Sequence, residues 1–143
     1  MARIEIPLPE VKLFTTEIEV PINLINYGGH LGNDSVLTLA HEARLRFLKS
    51  RGLTELDVGG PGIIAADAAV VYRSEAFHGE RLRIEIGAGE VSRVGFELLY
   101  LITEVTSGRE VARVRTGLVC FDYGARKVAR MPEGLRAWLT SVS

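Results

Sequence analysis

The densest chemistry in the chain lies between Asn26 and Arg44. Nine consecutive residues, Asn26 to Asp34, hold three glycines, a histidine, two asparagines and an aspartate, then run directly into an apolar helical pattern. Gly28, Gly29 and Gly32 let the backbone approach a ligand closely or turn through positive φ. A loop that ends at a helix N-terminus presents unpaired N–H groups where negative charge is favoured. Such a loop can hold a substrate carbonyl or another anionic group. The N–H groups of residues 32–36 are therefore oxyanion-hole candidates, and Gly29, Gly32, Asn33 and Ser35 are the expected binding positions.

Four side chains are candidates for catalysis: Glu42, Asp34, Asn26 and His30. Glu42 has the acidity of a general base or a carboxylate nucleophile, but its order with Arg46 also suits a helix-surface ion pair. Asp34 is a second carboxylate, with helix N-capping as its plain alternative. The two are about 12 Å apart along a helix, too far to serve one attacked carbon. His30 can polarise a carbonyl or act as general base, or can satisfy local backbone groups. Asn26 can bind an oxyanion or place a water, or can stabilise an Asx-type turn.

These residues need a scaffold. Residues 12–22 read as a strand, 23–33 as the glycine-rich loop, and Asp34 to about Arg51 as a helix stopped by Gly52. Val36, Leu39, Ala40, Ala43 and Phe47 share one broad apolar face, widened by Leu37 and Leu48, opposite Thr38, His41, Glu42 and Lys49. After a connection containing Gly59-Gly60-Pro61-Gly62, strands are expected at 63–77, 80–92, 94–106 and 109–122. The turns at His78-Gly79, Ser92-Arg93 and Ser107-Gly108 are short enough for hairpins. Pro132 to Leu139 reads as a short helix. The result is an α+β fold with one long helix on an antiparallel sheet, and the whole span 1–143 is expected to be a single domain. Strands such as 94–106 carry apolar residues on both faces, Leu99 and Leu101 among them. A homodimer is the economical cover for the second face.

Composition narrows the class. Apolar residues make up 47% and charged residues 24% of the chain, ordinary globular values. Seventeen basic and eighteen acidic residues give a net charge of −1, so no dedicated nucleic-acid binder is expected. The lone Cys120 lies in an apolar run and fits a buried thiol in a reducing cytoplasm. Arg73, Arg81 and Arg83 are candidate phosphate contacts, and Asp67 a residue of a salt-bridged surface. His30, His41 and His78 lack metal-ligand spacing, so neither metal nor cofactor is expected. The N-terminus lacks a secretory pattern and no apolar run is long enough to span a bilayer, so no membrane partner is expected either.

The order of elements resembles the hotdog fold, a five-stranded antiparallel sheet wrapped around one long central helix, with subunits joined sheet to sheet. The local sequence is similar to the 4-hydroxybenzoyl-CoA thioesterase group of that superfamily. Gly29-His30, Asn33 and Glu42-Ala43-Arg44 match the group's pattern, and Tyr72 to Gly79 resembles its following strand end and turn. Asn26 stands where that group carries a catalytic Asp. Other hotdog thioesterases place an Asn or Gln in the loop and a carboxylate about two turns into the helix, places that Asn26 and Glu42 fit approximately.

The resemblance implies a homodimeric or homotetrameric acyl-CoA thioesterase. Glu42 or Asp34 would promote attack, while Asn26 and backbone amides would hold the oxyanion. Two rivals stay open: a hotdog enoyl-thioester dehydratase or hydratase using His30 with Glu42, and a non-catalytic acyl-CoA-binding module favoured by Asn26.

Overall fold

The computed structural model describes residues 3–141. Its first strand, β1 (Phe14–Glu19), leads through a 3-10 turn (Ile22–Leu24) and the glycine-rich loop into α1 (Ser35–Lys49). Then come β2 (Gly62–Tyr72), β3 (Arg81–Val91), β4 (Gly95–Glu104), β5 (Glu110–Asp122), the two-residue β6 (Lys127–Val128) and α2 (Glu133–Leu139). The strands form one antiparallel sheet in the order β1-β3-β4-β5-β2, with β6 beside β5. The expected fold class, an antiparallel sheet around one long helix, is what the chain adopts.

α1 forms where its periodicity puts it. Val36, Leu39, Ala40, Ala43, Phe47 and Leu48 are all buried in the core, and each large side chain among them contributes about 1.5–3 kcal/mol. Leu37, by contrast, stays partly exposed at the edge of that face. The helix stops where Gly52 turns to φ 71° and its N–H reaches the Lys49 carbonyl. Opposite α1, β3, β4 and β5 bring Ile84, Ile86, Leu98, Tyr100, Ile102, Val114 and Leu118 into the same cluster. α2 closes its end, with Trp138 stacked on Phe47 at 4.2 Å between ring centroids. Cys120 is buried and its thiol is pushed up by that burial.

One expectation is corrected. His78-Gly79 does not close a hairpin between β2 and β3. β2 pairs instead with β5, setting Ile63 beside Cys120 and Val70 beside Val114, and residues 73–80 carry the chain to the far side of the meander. β2 accordingly ends at Tyr72 rather than near residue 77, because the backbone beyond it turns to other partners. The Ala76 carbonyl accepts from Leu31 N–H at 2.8 Å.

The sheet's outer face carries a cover of its own over part of its area. Leu99 is only 5% exposed without any second chain, because the segment before β1 crosses over it. A single strand's pattern could not reveal that cover, since it comes from residues far away in sequence. Among the described residues no helix is long and apolar enough to cross a membrane.

The turn after β4 carries a carboxylate with a measurable consequence. Glu104 accepts hydrogen bonds from the Ser107 hydroxyl and from the N–H groups of Thr106 and Ser107 at 2.7–2.9 Å. These donors, the Ser107 hydroxyl first, hold its carboxyl down at about 2. A carboxyl depressed in the folded state stabilises the fold above the ordinary carboxylate range. That contribution is lost as pH falls through about 4 toward 2. Thermal melts of wild type and Glu104→Gln should therefore differ at pH 7, with wild type higher, and converge only below about pH 2. A gap that persists in acid would contradict this assignment.

Candidate functional site

The glycine-rich loop is a small closed structure. Ile25 and Leu31 form an isolated bridge across its neck, Asn26 N–H donates to the His30 carbonyl, and Gly29 N–H turns back to the Asn26 carbonyl. Gly29 has φ 83°, so the tight turn needs glycine there. The Asn26 side chain accepts from Gly28 N–H at 2.9 Å and from His30 N–H at 3.5 Å. It is thus the internal brace of the loop, an Asx turn. Gly28 has little room to spare, since a Cβ there would meet Asn26 Oδ1 at 3.2 Å and His30 Nε2 at 3.4 Å. Tyr27 stands fully exposed at the tip.

Two backbone bonds tie the end of the loop to its flanks: Leu31 N–H to the Ala76 carbonyl beyond β2 and Gly32 N–H to the Leu24 carbonyl of the 3-10 turn. Of the expected oxyanion donors, Gly32 and Ser35 are thereby spent inside the loop, the latter on the Gly32 carbonyl at 3.0 Å. The N–H groups of Asn33 and Asp34 have no acceptor among the described residues. Val36 lies in the first helical turn, where N–H groups lack intrahelical partners.

A cavity of about 300 Å³ opens beside this helix start, between the loop and the ends of β2 and β5. His30, Leu31, Asn33, Val36, Tyr72, Arg73, Ser74, Glu75, Ala76 and Val111 line it. Leu31, Val36, Ala76 and Val111 are buried and form an apolar floor. Polar groups gather on the rim, the usual composition of a small-molecule site. The Tyr72 hydroxyl donates to the Asn33 carbonyl at 2.9 Å, tying β2 to the helix start. His30 Nδ1 lies 3.0 Å from the Leu31 carbonyl. A carbonyl only accepts, so Nδ1 carries a proton, and in that tautomer Nε2 is the acceptor.

The other expected residues lie elsewhere. Asp34 is exposed at the N-cap position, yet its side chain makes no capping hydrogen bond. Its Oδ1 folds back over Gly32, where a Cβ would approach it to 2.9 Å. Glu42 sits on another flank of α1 and accepts from Arg46 Nε at 2.8 Å. Arg46 is itself anchored on the Thr16 hydroxyl and the Glu17 carbonyl of β1. Glu42 lines a different cleft, of about 280 Å³, with Ile18, Pro21, Asn23, Leu24, Thr38, Leu39 and Arg46. Gly32 and Ser35 are buried under the loop. The structure thus brings His30, Asn33 and the helix start together at one cavity and leaves Glu42 outside it.

Of the arginines read as phosphate contacts, only Arg73 reaches the cavity, with Glu110 3.1 Å from its Nε. Arg81 and Arg83 pair with Glu17 across β1 and β3. Asp67 pairs with Arg115 at 2.8 Å. Sequence reading did not find Tyr72, Ser74, Ala76 and Val111 as lining, because their place depends on β2 crossing to β5. It also missed a buried charge. Arg44 points into the core, where it donates to Glu55 at 3.0 Å and to the Tyr100 hydroxyl at 3.3 Å. Burial pushes Glu55 up, but hydrogen bonds from His41 and Arg44 outweigh it, and the carboxyl stays low and ionised. Among the described residues no group of three or more His, Cys, Asp or Glu is placed to hold a metal ion.

The chain belongs to the thioesterase-like superfamily, matched over residues 20–139, and is in class a thioester hydrolase. It is similar to solved structures of that kind. One is a 1,4-dihydroxy-2-naphthoyl-CoA thioesterase from Synechocystis, with 24% identity and a TM-score of 0.81 over 90% of this chain and 96% of that one. Another is a DHNA-CoA thioesterase from Staphylococcus aureus, with 22% identity and a TM-score of 0.76 over 87% and 84%. A gentisyl-coenzyme A thioesterase gives 17% identity and a TM-score of 0.78 over 89% and 100%. At these identities the likeness is one of fold. Among curated proteins no sequence matches the chain.

The brace at Asn26 can be tested on its own. Asn26→Asp keeps an acceptor for Gly28 and His30, so its melting temperature should stay close to wild type. Asn26→Ala removes that acceptor and should cost about 1 kcal/mol. Chemical denaturation reads both, and equal loss in the two variants would show that the side chain does not brace the loop.

Proposed function

We propose that the chain hydrolyses acyl-CoA thioesters at the cavity beside the start of α1. One observation carries the reading: His30, with Nδ1 committed to a backbone carbonyl, shares a cavity with Asn33 and Val36, where the helix start offers N–H groups. A thioester carbonyl seated on those amides would place its developing negative charge at the helix N-terminus. His30 Nε2 takes a proton from water, and the hydroxide attacks the carbonyl carbon. The tetrahedral intermediate collapses by breaking the carbon–sulfur bond, the thiolate takes the proton back, and the free acid and CoA leave.

This reading prefers His30 to the carboxylates as base. Glu42 is engaged by Arg46 in the neighbouring cleft. Asp34 is free of partners among the described residues but does not line the cavity.

The same reading calls for a homodimer. β2 is an edge strand, and Ala65 to Ala68 are exposed along it. An unpaired edge of that length is a template for a second copy, and β2-to-β2 pairing would continue the sheet across a two-fold axis. Tyr72, at the end of that strand and on the cavity wall, would then sit near the junction.

Hydrolysis of an acyl-CoA panel with detection of free thiol tests the activity. Turnover should fall by about 10²–10⁴ in His30→Gln, with Glu42→Gln within a few-fold of wild type. Full activity in His30→Gln together with loss in Asp34→Asn or Glu42→Gln would move the base to that carboxylate. Hydration of enoyl-CoA without thiol release would favour a hydratase, and tight binding without turnover a binding module.

A further inference from the structure

We infer that the segment before β1 is a built-in cover that stops assembly at the edge-paired dimer. It does so by occupying the sheet face on which copies of this chain would otherwise stack. The inference rests on the β2-paired dimer proposed above.

A sheet with its helices packed on one face must dispose of the other. Here the outer face carries Leu99 and Leu101 on β4, and Ala69 and Val71 continue it on β2, in register with Arg115 and Arg113 of β5. The segment from Ile6 to Lys12 lies across this face. Ile6 is 4% exposed and its carbonyl accepts from Arg113 at 3.2 Å. Lys12 Nζ lies 2.6 Å from Glu85 on β3. Leu13 N–H then donates to the Ile86 carbonyl, and the chain enters β1.

The sheet is built to receive this segment. Gly87 faces outward on β3, and a Cβ there would lie 2.3 Å from the Val11 carbonyl oxygen and 2.4 Å from Pro9 Cβ. Only glycine lets the chain pass this low over the sheet. Pro7 and Pro9 lack N–H donors and hold the segment extended, so it crosses the strands without becoming one.

A second copy is the occupant this face would take if uncovered, for two reasons. The face is continuous, through Ala69 and Val71, with the β2 edge where the proposed dimer would pair. Its charges are also mixed and mutually paired. Asp67, Glu97 and Arg115 form one cluster, and Glu110 with Arg73 and Arg113 another. A two-fold-related copy therefore meets no single-sign field.

Sedimentation equilibrium over a range of concentrations tests the inference on three proteins: the full chain, a chain beginning at Leu13, and full-length Gly87→Val, whose outward side chain displaces the segment while leaving the core untouched. The full chain should sediment as a dimer, and both variants should form a discrete species of twice that mass. Thiol labelling of Leu99→Cys, with Cys120 buried, gives an independent reading. Labelling should be at least tenfold faster when Gly87→Val is added, measured in dilute solution. The inference is overturned if the variants keep the full chain's mass, if the full chain is already a tetramer, or if Leu99→Cys labels as fast with the segment in place. A monomeric full chain would refute the β2 dimer instead, and doubling in the variants would still establish the cover.

Discussion

The arrangement depends on a charge buried in the wrong place. Arg44 projects from the core side of α1 and is only 7% exposed, in a helix face otherwise made of Val36, Leu39, Ala40, Ala43, Phe47 and Leu48. A guanidinium there is tolerated only if its donors are met and its charge is balanced. Glu55 supplies the charge, Tyr100 on β4 supplies an acceptor, and Thr116 on β5 holds the Tyr100 hydroxyl at 2.8 Å. Those partners come from the connection after the helix and from two central strands. They can all be satisfied at one rotation and one axial position of α1. Phe47 against Trp138 adds bulk to that choice, but the buried charge makes the alternatives costly.

Once α1 is fixed in that way, its first turn is fixed too, and the loop before it has little freedom. Leu31 is tied to Ala76 and Gly32 to Leu24, so the loop bridges the end of β2 on one flank and the turn after β1 on the other. That bridge separates two recesses. One holds His30 and the helix start; the other holds Glu42, held by Arg46. A thioester needs less help than an amide, since thiolate is a good leaving group. A positioned imidazole and preorganised amides are chemically sufficient for it. The Asn26 amide has a physical job of its own in holding the loop that carries His30.

Much of this was legible in the residues. The 3.6-residue period of α1, its stop at Gly52, the alternation of the strands and the glycine-rich turn into the helix are local signals, and each led to the right element. The doubt over Glu42 was also legible, since its spacing to Arg46 already offered the ion pair. What could not be read was set by distant parts of the chain. β2 lies beside β5 rather than β3 because of which edge was free, and its turn residues carry no trace of that. Leu99 lies under the segment around Pro7 to Glu10, far from it in sequence. Tyr72, Ala76 and Val111 reach the cavity only because of the same crossing. Nothing local to Arg44 says that Tyr100 and Glu55 stand opposite it.

The most direct test of this account is a crystal structure with a non-hydrolysable acyl-CoA analogue. The account places the carbonyl oxygen within hydrogen-bond reach of the N–H groups at Asn33 to Val36, with His30 Nε2 facing the carbonyl carbon through one water. A carbonyl lying beside Glu42, in the cleft toward β1, would contradict it.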